Sequence, residues 1–129
     1  MDTIKLLDGD ELTQNEIEML NNSLAFFSQH KSYFDILRDI NYGNSQITLR
    51  FIDLYIASYA KEHNKGVYAK YMHMIHKYTK TYFDPFRRRK TFIYQGMKTS
   101  IGQLNFFEFI FEENIIETIL SHHRDNLIR

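Results

Sequence analysis

Apolar residues recur at the three- and four-residue spacing of an α-helix along most of the chain. Ile17, Leu20, Leu24 and Phe27 form one such stripe, which predicts a helix from Thr13 to about residue 30. Thr13 is followed three residues later by a glutamate, the signature of a capping box at a helix start. The same spacing predicts further helices over residues 32–40, 45–63, 67–82, 101–111 and 115–120.

The helix over residues 45–63 is apolar around most of its circumference. Ser45 is its predicted N-cap, Leu49, Ile52, Ile56 and Tyr59 form its main stripe, and two more aromatic residues widen that stripe. A helix with so broad an apolar face is usually central in a core. We therefore expect these four stripe residues to be among the most buried.

A strand-like pattern follows the only proline of the chain. Pro85 fixes its own φ and keeps the preceding residue out of the α region, so the helix from residue 67 must end there. Residues 91–94 then predict a strand and residues 95–96 its turn, with residues 4–7 as the best candidate partner strand. Gly102, inside a predicted first helical turn, indicates close backbone packing.

These elements predict a single compact domain over residues 1–129 that is mainly α. It has five to six helices and a short strand or hairpin, with residues 1–12 as a loose or edge segment. The absence of cysteine excludes disulfides, thiolate zinc sites and cysteine nucleophiles. Charges interrupt every apolar cluster, so we expect no membrane span, and no signal peptide is visible.

The net charge of zero conceals a strong segregation along the chain. Residues 1–60 carry four Lys/Arg against nine acids, a net charge of −5, and residues 101–129 carry two against five, a net charge of −3. Residues 61–100 carry ten Lys/Arg against two acids, a net charge of +8. Either this basic middle is an exposed binding surface, or the acidic ends pack beside it and cancel its field.

The cations of this middle block are interleaved with aromatic residues, a combination that suits phosphates and stacked bases. Asp84 is the acid nearest to the run of arginines, and we expect it to cap a turn or to pair with Arg87 or Arg88. The candidate nucleic-acid-binding residues are Lys70, Lys77, Lys80, Arg87, Arg88, Arg89 and Lys90, and the candidate stacking residues are Tyr82, Phe83 and Phe86.

Metal binding and catalysis have weaker signals. His73 and His76 share a helical face, but their neighbours are cationic and repel a divalent ion; His63 and the pair His122 and His123 lie far away in sequence. No nucleophile elbow, phosphate-binding loop or dinucleotide fingerprint occurs. We therefore expect no metal, no cofactor and no enzymatic activity, with a small phosphate-ester enzyme as the third alternative.

Three stretches resemble blocks of a small-protein family of nucleocytoplasmic large DNA viruses. They are residues 47–53, residues 82–88 with Phe-Asp-Pro-Phe, and residues 100–107 with Gly-Gln-Leu-Asn-Phe-Phe. The chain departs from the family pattern at Arg87, where cysteine is frequent, and at Leu54, where tryptophan is frequent. The resemblance implies a viral protein of the infected cell's cytoplasm or nucleus, with the virion as a further location, and supplies no catalytic residues.

The sequence therefore favours a non-catalytic viral protein that binds nucleic acid, with little base specificity and a slight preference for single strands. The alternative is a protein–protein interaction module of a virion or replication assembly. In that case the partners are other viral proteins or a second copy of this chain.

Overall fold

The computed structural model describes residues 4–128, with the side chains of residues 4–121. Within that range the chain forms six helical rods and one antiparallel hairpin in a single domain, which confirms the mainly α prediction. The elements are α1 (Gln14–Gln29), α2 (Lys31–Asn41), α3 (Leu49–Leu54), a π-helix (Tyr55–Ala60), α4 (Lys61–His63), α5 (Lys65–Tyr82), β1 (Thr91–Tyr94), β2 (Met97–Ser100), α6 (Ile101–Glu112) and α7 (Ile115–Ile128). The α3 helix, the π-helix and α4 follow each other without a break and form one rod.

The central element is α6, because it carries the most continuous apolar sequence of the chain. Ten of its twelve residues are buried, and only Glu108 and Glu112 reach the surface. Helices α1, α5 and α7 and strand β2 pack around it. A helix that is apolar all round needs neighbours on every side to bury its side chains.

The α3 rod is less central than its sequence predicts. Ile52 and Ile56 are fully buried, which confirms half of the predicted stripe, whereas Leu49 and Tyr59 are only half-buried. Its helix begins one residue after Thr48, whose hydroxyl accepts from a backbone amide, and not at Ser45. The wide apolar sector was misleading because part of it, including the 42% exposed Phe51, faces solvent.

The predicted strand and turn are confirmed, and the predicted partner segment, residues 4–7, does pair with the strand, but the more extensive pairing is with β2. β1 pairs with β2 in a hairpin whose two turn residues, Gln95 and Gly96, both have positive φ, as a type I′ turn requires. The N-terminal segment adds one bridge between Leu6 and Phe92 on the other side of β1. A close hairpin costs less loop-closure entropy than pairing with a segment more than eighty residues away.

Side-chain caps begin the helices α1 and α6. Thr13 makes the full reciprocal capping box with Glu16, and the Ser100 hydroxyl accepts from the Gln103 amide. At α7 the preceding residue, Asn114, has a φ of 54°, and its carbonyl accepts from Thr118. None of the helices in the described part of the chain combines the length and apolarity needed to cross a membrane.

Candidate nucleic-acid interface

The segment that carries most of the predicted cations, residues 82–90, is fastened to the central helix α6 by its first residues. Asn105 donates to the carbonyl of Tyr82 at 2.9 Å, and the amide of Asp84 donates to the carbonyl of Gly102 at 3.2 Å. The side-chain amide of Gln103 donates to the carbonyl of Pro85 at 2.9 Å. The Phe-Asp-Pro-Phe and Gly-Gln-Leu-Asn blocks of the sequence therefore form one structural unit.

Gly102 permits the close approach of these two blocks. A Cβ at this position would lie 2.9 Å from the carbonyl oxygen of Thr81, closer than real side chains come. This confirms the packing role predicted for the glycine.

Gln103 is fully buried and all its polar atoms are paired. Besides Pro85, it exchanges hydrogen bonds with the amide of Asn41, at 2.7 and 2.8 Å, and accepts from Thr99 at 2.8 Å. A buried amide is tolerated only when it is satisfied in this way. The sequence signal for this network was the polar Gln-Leu-Asn pattern inside an otherwise apolar helix.

Arg88 is the most firmly oriented cation of the segment. Its Nε donates to Asp84 Oδ2 at 2.9 Å and its Nη2 to Asp84 Oδ1 at 3.0 Å, while its guanidinium lies over the Phe86 ring, 5.0 Å from the centroid. Asp84 Oδ1 also accepts from the amide of Phe86, so Asp84 both caps the turn and pairs with arginine, as expected. The hydrogen bonds and the charge of Asp84 raise the pKa of Arg88.

A second carboxylate lies close to this ion pair. Burial raises the pKa of Asp53, the nearby charge of Asp84 raises it further, and Arg88 and Lys80 act in the opposite direction. Asp53 closes the first of the three blocks that resemble the viral family. All three blocks thus contribute to the surroundings of Arg88. Lys80 belongs to the same electrostatic environment, because its charge also acts on Asp53.

Lys90 is engaged by a buried acid of helix α1. The Glu16 carboxylate, 1% exposed, accepts from Lys90 Nζ, from the amide of Thr13 at 2.8 Å and from the hydroxyl of Tyr82 at 2.9 Å. Burial alone would raise the pKa of Glu16, but the hydrogen bonds from Lys90, Thr13 and Tyr82 together lower it to about 2. Lys90 therefore stabilises the fold, and its charge is compensated.

The remaining predicted cations differ in their partners. Lys70 lies 3.0 Å from Glu113, so an acid of the C-terminal block compensates it as Glu16 compensates Lys90. Arg87 donates to the carbonyl of Lys98 at 3.3 Å, and Arg89 donates to the hydroxyl of Thr81 at 3.4 Å. Among the described residues, Lys77, Lys80, Arg87 and Arg89 form no ion pair.

The cations of α5 do not lie on one continuous helix face. Thr79 has φ 59° and ψ 176°, so the helix is kinked there and its last turn is offset from the preceding ones. The cations before and after the kink consequently face different neighbours: Lys77 lies beside α1 and Lys80 near Asp53.

One of the three predicted stacking residues belongs to the core. Phe83 is 4% exposed and packs against Phe106 and Phe109, with centroids 5.2 and 5.7 Å away, so the prediction that it stacks on a ligand is corrected. Tyr82 and Phe86 are half-buried and retain surface. Phe83 anchors the segment, because the chain enters the core at this residue before it turns at Pro85.

The histidines of α5 do not assemble a metal centre. His73 and His76 are exposed, and the described side chains contain no group of three or more histidine, aspartate or glutamate residues placed to hold an ion. His63 lies against the ring of Tyr59, 4.4 Å between centroids. His122 and His123 fall outside the described side chains.

Comparisons with known proteins agree with the resemblance seen in the sequence. The chain is 30% identical to "Uncharacterized protein L507" of Acanthamoeba polyphaga mimivirus, a giant DNA virus, over 89% of the chain and 53% of the relative. The chain thus spans about half the length of this curated relative. No solved structure matches the chain. A family model matches residues 2–127, and the chain therefore belongs to the family of unknown function DUF7197.

Proposed function

We propose that this chain is a non-catalytic viral protein that binds the phosphate backbone of nucleic acid, with single strands preferred. The binding surface consists of Lys80, Arg87, Arg88 and Arg89, and the Phe86 ring is part of it. Lys70 and Lys90 are not part of this surface, because acids of the two chain ends compensate their charges. The observation that carries the proposal is the fixed orientation of Arg88.

The guanidinium of Arg88 is prepared for an oxyanion. A guanidinium has five N–H donors, and Asp84 accepts from two of the three nitrogens on one side. The opposite edge, with Nη1, has no hydrogen-bond partner among residues 4–121, and 64% of the side chain is exposed. Because Asp84 and Phe86 already hold the side chain, little rotamer entropy is lost when this edge binds a phosphate.

The positive charge that attracts phosphates comes from the neighbours of Arg88. Asp84 compensates Arg88 itself, whereas Lys80, Arg87 and Arg89 have no ion-pair partner in the described part of the chain. Neutralised phosphates release their counterions, so these three cations supply the affinity and Arg88 supplies the orientation. Contacts to phosphates alone carry no sequence information, which fits weak base specificity.

The experiment compares two variants with the same change in net charge. In the first, Lys80, Arg87 and Arg89 are changed to Gln; in the matched control, the exposed Lys5, Lys31 and Lys61 are changed to Gln. Fluorescence anisotropy with a mixed-sequence single strand at low salt should show a loss of about tenfold or more for the first variant and little change for the control. Equal losses for both variants, or wild-type binding by the first, would contradict the proposal.

A second candidate is a protein–protein interaction module of a virion or replication assembly, and the exposed apolar surface of α3 favours it. Phe51 and Leu54 are 42% and 52% exposed and lie three residues apart on one helix face. Neighbouring exposed apolar residues are typical of interaction surfaces. Sedimentation at high protein concentration tests self-association: a monomer throughout removes a second copy of this chain as the partner.

A further inference from the structure

A groove between α1 and α5 adjoins the proposed phosphate-binding surface. Its volume is about 460 Å³, and it is open to solvent along one side. Half-buried residues form its floor and exposed residues its rim. The floor is Met19, Tyr78 and Tyr82, and the rim is Thr13, Asn15, Glu18, Asn22 and Lys77.

The chemistry of the groove fits a flat, neutral, hydrogen-bonding group. Tyr82 offers aromatic surface, and the ring of Tyr78 lies under the flexible side chain of Lys77, whose Nζ is 4.9 Å from the ring centroid. The side-chain amides of Asn15 and Asn22 offer both donors and acceptors. Lys77 and Glu18 contribute one charge of each sign, so the groove has no net attraction for a phosphate. A nucleobase combines a face that stacks with an edge that forms hydrogen bonds.

The groove and the cations are joined through the end of α5. Tyr82 lies in the groove, and its neighbour Thr81 accepts a hydrogen bond from Arg89 at 3.4 Å. A strand whose phosphate lies on Arg89 therefore has the groove beside it for its base. A base that is paired within a duplex cannot enter, because its edge is occupied and its faces are stacked.

We propose that the α1–α5 groove holds one unpaired nucleobase of a bound single strand, and that this base makes the protein selective for single strands. The inference rests on the proposed function, since the cations hold the strand that presents the base. It assigns a role to Asn15 and Asn22, which lie on α1 and outside the basic block.

The test compares two single-stranded oligonucleotides of the same length and charge, one with bases and one abasic throughout. The wild type should bind the strand with bases about tenfold more tightly, because only that strand offers a base that can stack in the groove. Asn22→Ala should reduce this ratio severalfold. Asn21→Ala, the same change at the neighbouring exposed position outside the groove, should leave the ratio unchanged.

Two further variants complete the design. Tyr78→Leu should reduce the ratio in the same way as Asn22→Ala. The variant with Lys80, Arg87 and Arg89 changed to Gln should weaken the binding of both strands and keep the ratio.

The possible failures are distinguishable. If neither strand binds at low salt, the proposed function fails and the groove inference falls with it. If both strands bind with equal affinity, or if Asn22→Ala weakens them equally, the groove does not hold a base and only the inference is overturned.

Discussion

Gln103 on the central helix donates a hydrogen bond to the carbonyl of Pro85, 2.9 Å away, and thereby fixes the turn at which the cationic segment begins. The orientation of Arg88 depends on this turn, because Asp84 and Phe86 on either side of the proline hold the guanidinium. A fully buried side chain thus determines where an exposed one points. The buried network and the surface of the proposed site are therefore one structural unit.

Replacing Gln103 by Leu should destabilise the fold by about 2 kcal/mol or more. The change leaves the carbonyl of Pro85 and the amide of Asn41 without their partner, and each buried unsatisfied group costs roughly 1–3 kcal/mol. Urea denaturation measures the free energy of unfolding. The control Gln29→Leu, at an exposed position of α1, should change it by less than about 0.5 kcal/mol. A Gln103 variant as stable as the wild type would contradict the importance of the network.

Two glycine-to-alanine changes in helices should have opposite effects. Gly66→Ala should stabilise by up to about 1 kcal/mol, because alanine is the better helix former and its Cβ would meet only the Asn64 side chain, at an ordinary 3.8 Å. Gly102→Ala should destabilise by about 1–3 kcal/mol despite the same gain, because its Cβ would clash with the carbonyl of Thr81. Thermal or urea denaturation of both variants decides the matter, and a stabilised Gly102 variant would show that the two blocks are not in close contact.

Lys90→Met should destabilise strongly, by about 3–5 kcal/mol, because it leaves the buried Glu16 carboxylate without its cation. The double variant with Glu16→Gln and Lys90→Met should recover much of the loss, since the amide needs no counter-charge. Urea denaturation of the wild type, the two single variants and the double variant gives the coupling free energy. Additive effects would mean that Lys90 and Glu16 do not interact in solution.

Glu108 gives the protein a pH dependence opposite to that of most carboxylates. Burial, and then its hydrogen bond and repulsion with Glu112, raise its pKa to about 7, although Lys77 and Ser23 act against the shift. A raised carboxyl pKa means that its stabilising contribution is present at acidic pH and is lost as the pH rises from about 4.5 through 7.

Glu108→Gln should therefore be more stable than the wild type at pH 8 and similar to it near pH 4.5. Urea denaturation at the two pH values measures the difference, with Glu117→Gln at an exposed position of α7 as the control. If the wild type gained stability relative to the Glu108 variant as the pH rises, the result would contradict a raised pKa of Glu108.

The sequence predicted the elements of the fold better than their arrangement. Helical spacing, the capping box at Thr13 and the turn at Gln95 and Gly96 are local signals, and local signals set where elements begin and end. Which helix is central depends on how all of them pack. The broad apolar face of α3 predicted a central position, whereas the core is organised around α6.

The sequence predicted which cations belong to the site, but not which residues pair with them. Charge counting along the chain located the basic block and raised the alternative that the acidic ends pack beside it, but it did not show which acids do so, namely Glu16 at Lys90 and Glu113 at Lys70. These pairs join residues more than forty positions apart, so no local pattern contains them. The burial of Phe83 was missed for the same reason, because its partners Phe106 and Phe109 belong to a distant helix.

The salt dependence of binding to a single strand is the most direct measurement of nucleic-acid binding by this protein. Lys80, Arg87 and Arg89 are the cations of this surface that have no ion-pair partner among the described residues. With each of them on one phosphate, log K plotted against log salt should have a slope of about −2, because each contact to a single strand contributes about −0.7. Anisotropy titrations between about 0.05 and 0.5 M salt cover a sufficient range of screening. An affinity that does not change with salt, or no binding at the lowest salt, would contradict phosphate recognition by this surface.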